Sequence, residues 1–385
     1  MKKALLFSSL IALSALSQPV LAEELKIGLA TAQTGGLAPY DAPVIEGVHI
    51  AVDEINAAGG IDGKFKIELI DKDVRSDAAQ TSIATQELVD QKVSVLVLPC
   101  DADPALAAIS IVASAEIPAI STCASSPTLP LVGGDYMFAN FPGDNVQATV
   151  SAEWAFKEGF KSAYIIYSPD AQYTTLPLYF KEVFDKLGGK ILGEDTYSIG
   201  QQDFSAIATR IAALDPQPEV IMTAAFEPDF PSLLKALRAA GVKSQMIGSD
   251  GIDSPTTFSL GDVVEGTVFT TAGFATPGSP MEAFNAKYKE VTGKASETVF
   301  NAVGYDLIKV IEAAVKKAGS TDPKAVRDAI ADLEDVQGAT SKITYKGTNG
   351  MPVRQVSLVR VKGGDRELIG QPSPTADLVP APRMQ

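Results

Sequence analysis

The chain has 385 residues, of which 46% are hydrophobic, and carries 32 Lys and Arg against 47 Asp and Glu for a formal net charge of −15. That length is a soft prior for two domains, and the apolar content is ample for real cores. The strong acidity argues against a nucleic-acid partner and against an anionic membrane surface.

Met1-Lys2-Lys3 is followed by an apolar run over residues 4–16 and then by Val20-Leu21-Ala22 ahead of Glu23. A basic start, a short apolar middle and a small-residue cleavage pattern predict a secretory signal peptide over residues 1–22. The run is shorter than the roughly 20 residues a bilayer span needs. A soluble mature protein outside the cytoplasm is expected. No cysteine stands near the cleavage point to carry a lipid anchor.

Beyond the leader, β-branched runs alternate with amphipathic segments. Residues 25–30 read as a strand and 43–58 as a helix with Val44, Val48, Val52 and Ile55 on one face. A strand is expected at 65–71, and a helix at 77–90 with Ser76 as its N-cap. The continuous apolar run 93–98 suits a strand buried on both faces. Asp103-Pro104 reads as an N-cap and first helical residue, and 117–121 as the next strand.

After Asn140-Phe141-Pro142-Gly143 the pattern restarts. Helices are expected at 145–158, 176–187, 204–214 and 229–240, and strands at 162–167, 190–196, 219–224 and 244–248. Repeated βα units imply parallel sheets covered by helices on both faces. The end of the chain differs, with helices at 282–291, 299–318 and 323–333 and then strands at 341–345 and 353–361. The proline-rich stretch 371–385 is expected to be a disordered tail. Two open α/β sheets present their strand C-terminal ends to a crevice, the usual ligand position in such sheets.

Little in the sequence supports catalysis. His49 is the one histidine and lies within the first amphipathic helix, which leaves no Ser-His-Asp, Cys-His or multi-His arrangement. Gly59-Gly60-Ile61-Asp62-Gly63-Lys64 has the wrong spacing for a phosphate loop and is followed by Phe65. No Gly-x-Gly-x-x-Gly follows the first strand, so a dinucleotide is not expected; no other cofactor is expected, and with one histidine no multi-His metal site. Cys100 and Cys123 each follow an expected strand, and an exported compartment permits a bridge between them. Geometry decides between a disulfide and two buried thiols.

A series of motifs resembles one family. They are Lys26-Ile27-Gly28-Leu29, Gln33-Thr34-Gly35-Gly36 with Tyr40, Gly47 with residues 53–61, Leu69-Ile70-Asp71-Lys72-Asp73, Asp203-Phe204-Ser205, Ala239-Ala240-Gly241, Gly248-Ser249-Asp250-Gly251 and Gly304-Tyr305-Asp306. In this order they resemble the periplasmic solute-binding proteins of ABC transporters, of the branched-chain amino acid (Leu/Ile/Val) type, over residues 25–361. The resemblance implies an α/β fold of two Rossmann-like lobes, the type I periplasmic binding protein fold, joined by three hinge segments. It implies a first lobe of residues 24–141 plus 272–349 and a second of 142–271 plus 350–370. It also implies a periplasmic monomer that is no enzyme and delivers a small molecule to an ABC-transporter membrane permease. A periplasmic ligand sensor for a membrane receptor would share the fold. An exported hydrolase is the third alternative, disfavoured by the missing histidines.

By the same resemblance, the Cys123 backbone and the Ser125 hydroxyl and N–H face an amino acid head group. Asp250 takes the position of the acidic ammonium partner, Phe226 that of a pocket aromatic, and Tyr40 and Tyr173 those of pocket walls. The departure lies at Cys100-Asp101-Ala102-Asp103-Pro104, where the family offers a serine to the ligand carboxylate. Asp101 and Ala102 stand at that place. A ligand carboxylate against an aspartate faces repulsion of up to several kcal/mol at an effective dielectric near 20. Either the aspartates turn away as helix caps, leaving an amino acid site, or the ligand is cationic, neutral or amide-like, with Asp101, Asp103 and Asp250 around it; an aromatic acid is a separate alternative ligand. The family's own lobe-one disulfide lacks a partner cysteine in residues 71–77.

Overall fold

The structure is a computed structural model that describes residues 23–169 and 171–383, without the side chains of residues 171–174. The expected leader and the Tyr173 side chain lie outside the described residues. Through residue 271 the chain alternates strand and helix. β1 (Glu23–Thr31), β2 (Phe65–Asp73), β3 (Val95–Leu98), β4 (Ala119–Ser121) and β5 (Met137–Ala139) form a parallel sheet in the order β2-β1-β3-β4-β5. β6 (Ser162–Tyr167), β7 (Lys190–Thr196), β8 (Val220–Thr223), β9 (Gln245–Gly248) and β10 (Val268–Thr271) build a second. β11 (Val336–Gln337), β12 (Lys342–Thr344) and β13 (Val353–Arg354) make a small antiparallel sheet. β14 (Ser357–Lys362) and β15 (Asp365–Gly370) return antiparallel to the second sheet, whose order is β15-β14-β10-β9-β8-β6-β7. Among the described residues no helix is long and apolar enough to cross a membrane.

The central strands are buried on both faces, as their unbroken apolar runs require: Val95, Leu96, Val97 and Leu98 are all inaccessible to solvent. Helix Ala38–Ala57 packs against helix Phe300–Ala318 so closely that a Cβ on Gly47 would lie 1.9 Å from the Asn301 carbonyl oxygen, and one on Gly304 equally near that of Val44. These glycines, two of the motif positions, are therefore fixed by helix contact.

The chain crosses between the sheets three times: after β5 into helix Asp144–Lys157, after β10 towards helix Pro280–Thr292, and between β13 and β14. Arg354 ties the first and third crossings together. Its buried guanidinium meets Asp306 at 2.7 Å and donates to Thr340 Oγ1 and to the Asn140 carbonyl on the first crossing. Beside it the Tyr345 hydroxyl donates to the Ala139 carbonyl at 2.7 Å.

Several local expectations are corrected. The cap of helix Ala78–Asp90 is Asp77, whose carboxylate accepts from Gln80 N at 2.8 Å; Ser76 instead accepts from Leu37 N and donates to Thr34 O. The short helix Ala102–Leu106 is capped by Asp101, not Asp103, because the carboxylate two residues back reaches Asp103 N at 3.0 Å. The stretch expected to be a disordered tail is described as far as residue 383, with one 3-10 turn at Ala376–Leu378. Its carbonyls supply acceptors in place of the N–H groups its prolines lack: Asn145 donates to Pro380 O at 2.8 Å and Thr128 to Arg383 O at 3.0 Å. Arg383 also pairs with Glu182 at 2.9 Å and lies over the Tyr179 ring.

Candidate functional site

The C-terminal ends of the parallel strands in both sheets converge on a cavity of about 30 Å³. From the first lobe come Leu37 and Tyr40 at the start of helix Ala38–Ala57, Cys100 after β3, and Ser125 after β4. From the second come Ala224 and Phe226 after β8, and Ser249, Asp250 and Gly251 after β9. Strand ends supply these positions because each parallel strand must turn there into its crossover helix.

Tyr40 closes the cavity across the lobes. Its hydroxyl donates to the Gly251 carbonyl at 2.9 Å and accepts from Glu227 N at 3.2 Å. Its ring meets Phe300 edge-on at 5.5 Å and Phe226 at 6.0 Å. Burial raises the phenol's pKa, so it remains a neutral donor.

Two buried carboxyl groups stand at the cleft, Asp250 in the cavity wall and Asp144 behind it. Asp144, in the first turn of helix Asp144–Lys157, accepts from the hydroxyls of Thr175 and Ser125, and its N–H donates to the Ser125 carbonyl at 2.8 Å. Burial pushes its pKa up to about 6 against the pull of those hydroxyls. Asp250 is held well above the usual carboxylate range, first by burial and then by the charge of Asp144, against hydrogen bonds from its own N–H and from Gln147. Gln147 is fixed by Thr270, which donates to its Oε1 at 2.8 Å, and by the Pro142 carbonyl, to which it donates at 2.8 Å.

Beneath the first-lobe loops lies Asp41. It accepts from Ala32 N at 2.8 Å, Cys100 N at 3.0 Å and Thr122 Oγ1 at 2.7 Å, and burial pushes it up to about 7. Cys100 and Cys123 are disulfide-bonded with their Cα atoms 4.4 Å apart, joining the loops after β3 and β4. These anchors hold Ser125 towards the cavity.

Of the residues singled out in the sequence, Tyr40, Ser125, Phe226 and Asp250 share the cavity walls. Cys123 sits behind them in the disulfide, and Asp101 and Ala102 are buried at the cap and first residue of the short helix rather than in the wall. The Asp101 carboxylate takes up a helix-start N–H at the place where the family offers a serine. His49 lies half-exposed on the surface, 4.0 Å from Asp71. Sequence reasoning missed Asp144, Gln147 and Asp41. An acid in the first turn of a helix is ordinary in sequence, and only the fold shows that this one binds Ser125 behind the cavity wall.

A model of the periplasmic binding protein family matches residues 24–366. The chain belongs to the periplasmic binding protein family. Among relatives of this binding protein is a Leu/Ile/Val-binding protein of Rhizobium johnstonii, 28% identical over 90% of this chain and 94% of its own length. The leucine-binding protein LivK of Thermotoga maritima superposes with a TM-score of 0.82 at 26% identity, covering 92% of this chain and 99% of that one. LivJ of Streptococcus pneumoniae, solved in complex with isoleucine, gives 0.81 at 25% identity over 91% of this chain and all of its own.

Proposed function

We propose that this binding protein is the solute-capturing component of an ABC importer and closes its two lobes on an amino acid or a close analogue. The observation that carries the reading is the shared cavity: Ser125 of the first lobe and Asp250 of the second line one space at the strand ends. Asp250 receives an ammonium, Ser125 presents its polar groups to the rest of the head group, and Tyr40 and Phe226 wall the apolar part. Residues 1–22 direct export to the periplasm and are cleaved. The lobes divide at residues 141–142, 271–273 and 349–350, and the protein acts as a monomer that docks on a membrane permease.

A thermal-shift panel of amino acids, amides, polyamines and aromatic acids tests this. A ligand at 100 times its Kd stabilises the protein by about 2.7 kcal/mol. At least one panel member should raise Tm accordingly; a flat panel sinks the reading.

A further inference from the structure

One carboxyl group, Asp250, lines the cavity, and a second, Asp144, lies behind the wall and reaches it through Ser125; among the described residues neither is paired with a cation. Asp144 and Asp250 are buried on elements of the second lobe, and Ser125 links them to the cavity: its hydroxyl binds Asp144 and its side chain lines the wall beside Asp250. Gln147, one helical turn beyond Asp144, binds Asp250, so a single helix start carries one acid and steadies the other. Among the described residues no Lys, Arg or His forms an ion pair with either. The nearby guanidiniums are committed elsewhere, Arg354 to Asp306 and Arg366 to Asp253. Two aromatic faces complete the wall, with the Tyr40 and Phe226 rings 6.0 Å apart.

Buried carboxylates beside aromatic faces attract a cation and repel an anion. A zwitterion brings no net charge. Its ammonium would balance one acid, and its carboxylate would enter the field of the other. The first-lobe helix start that would otherwise receive that carboxylate already holds the side chain of Asp101. We propose, on the reading that this cleft captures a solute, that the solute carries net positive charge: an amine, a diamine or an amide-blocked amino acid with no carboxylate beside its ammonium, balanced jointly by Asp144 and Asp250.

Calorimetry on the mature protein at pH 6.5 tests this with L-leucine, L-leucinamide, isopentylamine, putrescine and agmatine. At least one cation should bind ten-fold or more tighter than L-leucine. Asp144→Asn should shrink that preference at least ten-fold, and Asp144→Glu should retain most of it. If L-leucine binds tighter than every cation, the inference falls while the proposed function stands. If no probe binds and the wider panel is also silent, both fall. A preference untouched in correctly folded Asp144→Asn removes Asp144 from the site and overturns the shared balance.

Discussion

At the hinge, Asp306 is fully buried against Arg354 at 2.7 Å and also accepts from Thr340 and the Ala339 N–H. At the cleft, Asp144 and Asp250 are buried too, yet their hydrogen-bond partners are hydroxyls and amides. Burial pushes all three up; only at Asp306 does a guanidinium pull back. The difference separates structure from function. A buried acid with its own cation is complete whether or not ligand is present. A buried acid without one is complete only when it takes up a proton or an external cation. Asp253, paired with Arg366 at 2.9 Å, falls with the hinge although it lies three residues from Asp250.

The largest expected effect breaks the hinge side of this contrast. Removing one member of a buried pair strands the other charge, at a cost of about 3–5 kcal/mol. Arg354→Met should therefore lower stability by that amount in urea denaturation, and Asp306→Ala similarly. A loss under about 1 kcal/mol would mean that the pair is not closed off from water.

The cleft side should respond in the opposite direction. Burial pushes the Asp144 carboxyl up to about 6 in the folded protein, against 3.8 for the free side chain. The folded state therefore holds this proton longer than the unfolded one. Its contribution is full below pH 3.8 and is lost as pH rises through about 6. At 1.36 kcal/mol per pKa unit the loss reaches about 3 kcal/mol, an upper value because the lobes can open and hydrate the group. Ligand-free Asp144→Asn should thus be more stable than the parent at pH 7.5 and no more stable at pH 4. It should also be more compact in X-ray scattering, since closure no longer buries an unbalanced charge. Equal urea midpoints and equal radii of gyration at pH 7.5 would place Asp144 with the completed hinge acids.

The alternation of the two halves was legible because parallel strands buried on both faces must be runs such as Val95-Leu96-Val97-Leu98, and their crossover helices must carry an apolar stripe. β5, β10 and β15 escaped the sequence reading, the last because Asp365-Arg366-Glu367 breaks any apolar run. Tyr40, Ser125, Phe226 and Asp250 were legible through motif order at strand ends. Asp144 was not, because nothing in Gly143-Asp144-Asn145 reports what the fold sets opposite it. Asp101 and Asp103 exchanged roles because a cap depends on backbone geometry, and either carboxylate suits the sequence. The tail was misjudged because proline content shows that a segment forms no helix or central strand, without showing whether donors elsewhere will bind its carbonyls.

The smallest effect concerns what spans the two lobes without charge. The Tyr40 hydroxyl binds Gly251 O and Glu227 N across the cleft, while its ring packs on Phe300 within the first lobe. Tyr40→Phe keeps the ring contacts and removes only the bridge. In an open protein water satisfies the same carbonyl and N–H, so the loss appears on closure rather than on unfolding. Two neutral hydrogen bonds at roughly 0.5–1.5 kcal/mol each predict about a ten-fold weaker Kd, carried by a faster off-rate. The urea midpoint of the ligand-free protein should move little. If the off-rate is unchanged and the urea midpoint falls instead, Tyr40 belongs with Arg354 as part of the permanent frame, and the cleft would close on charge balance alone.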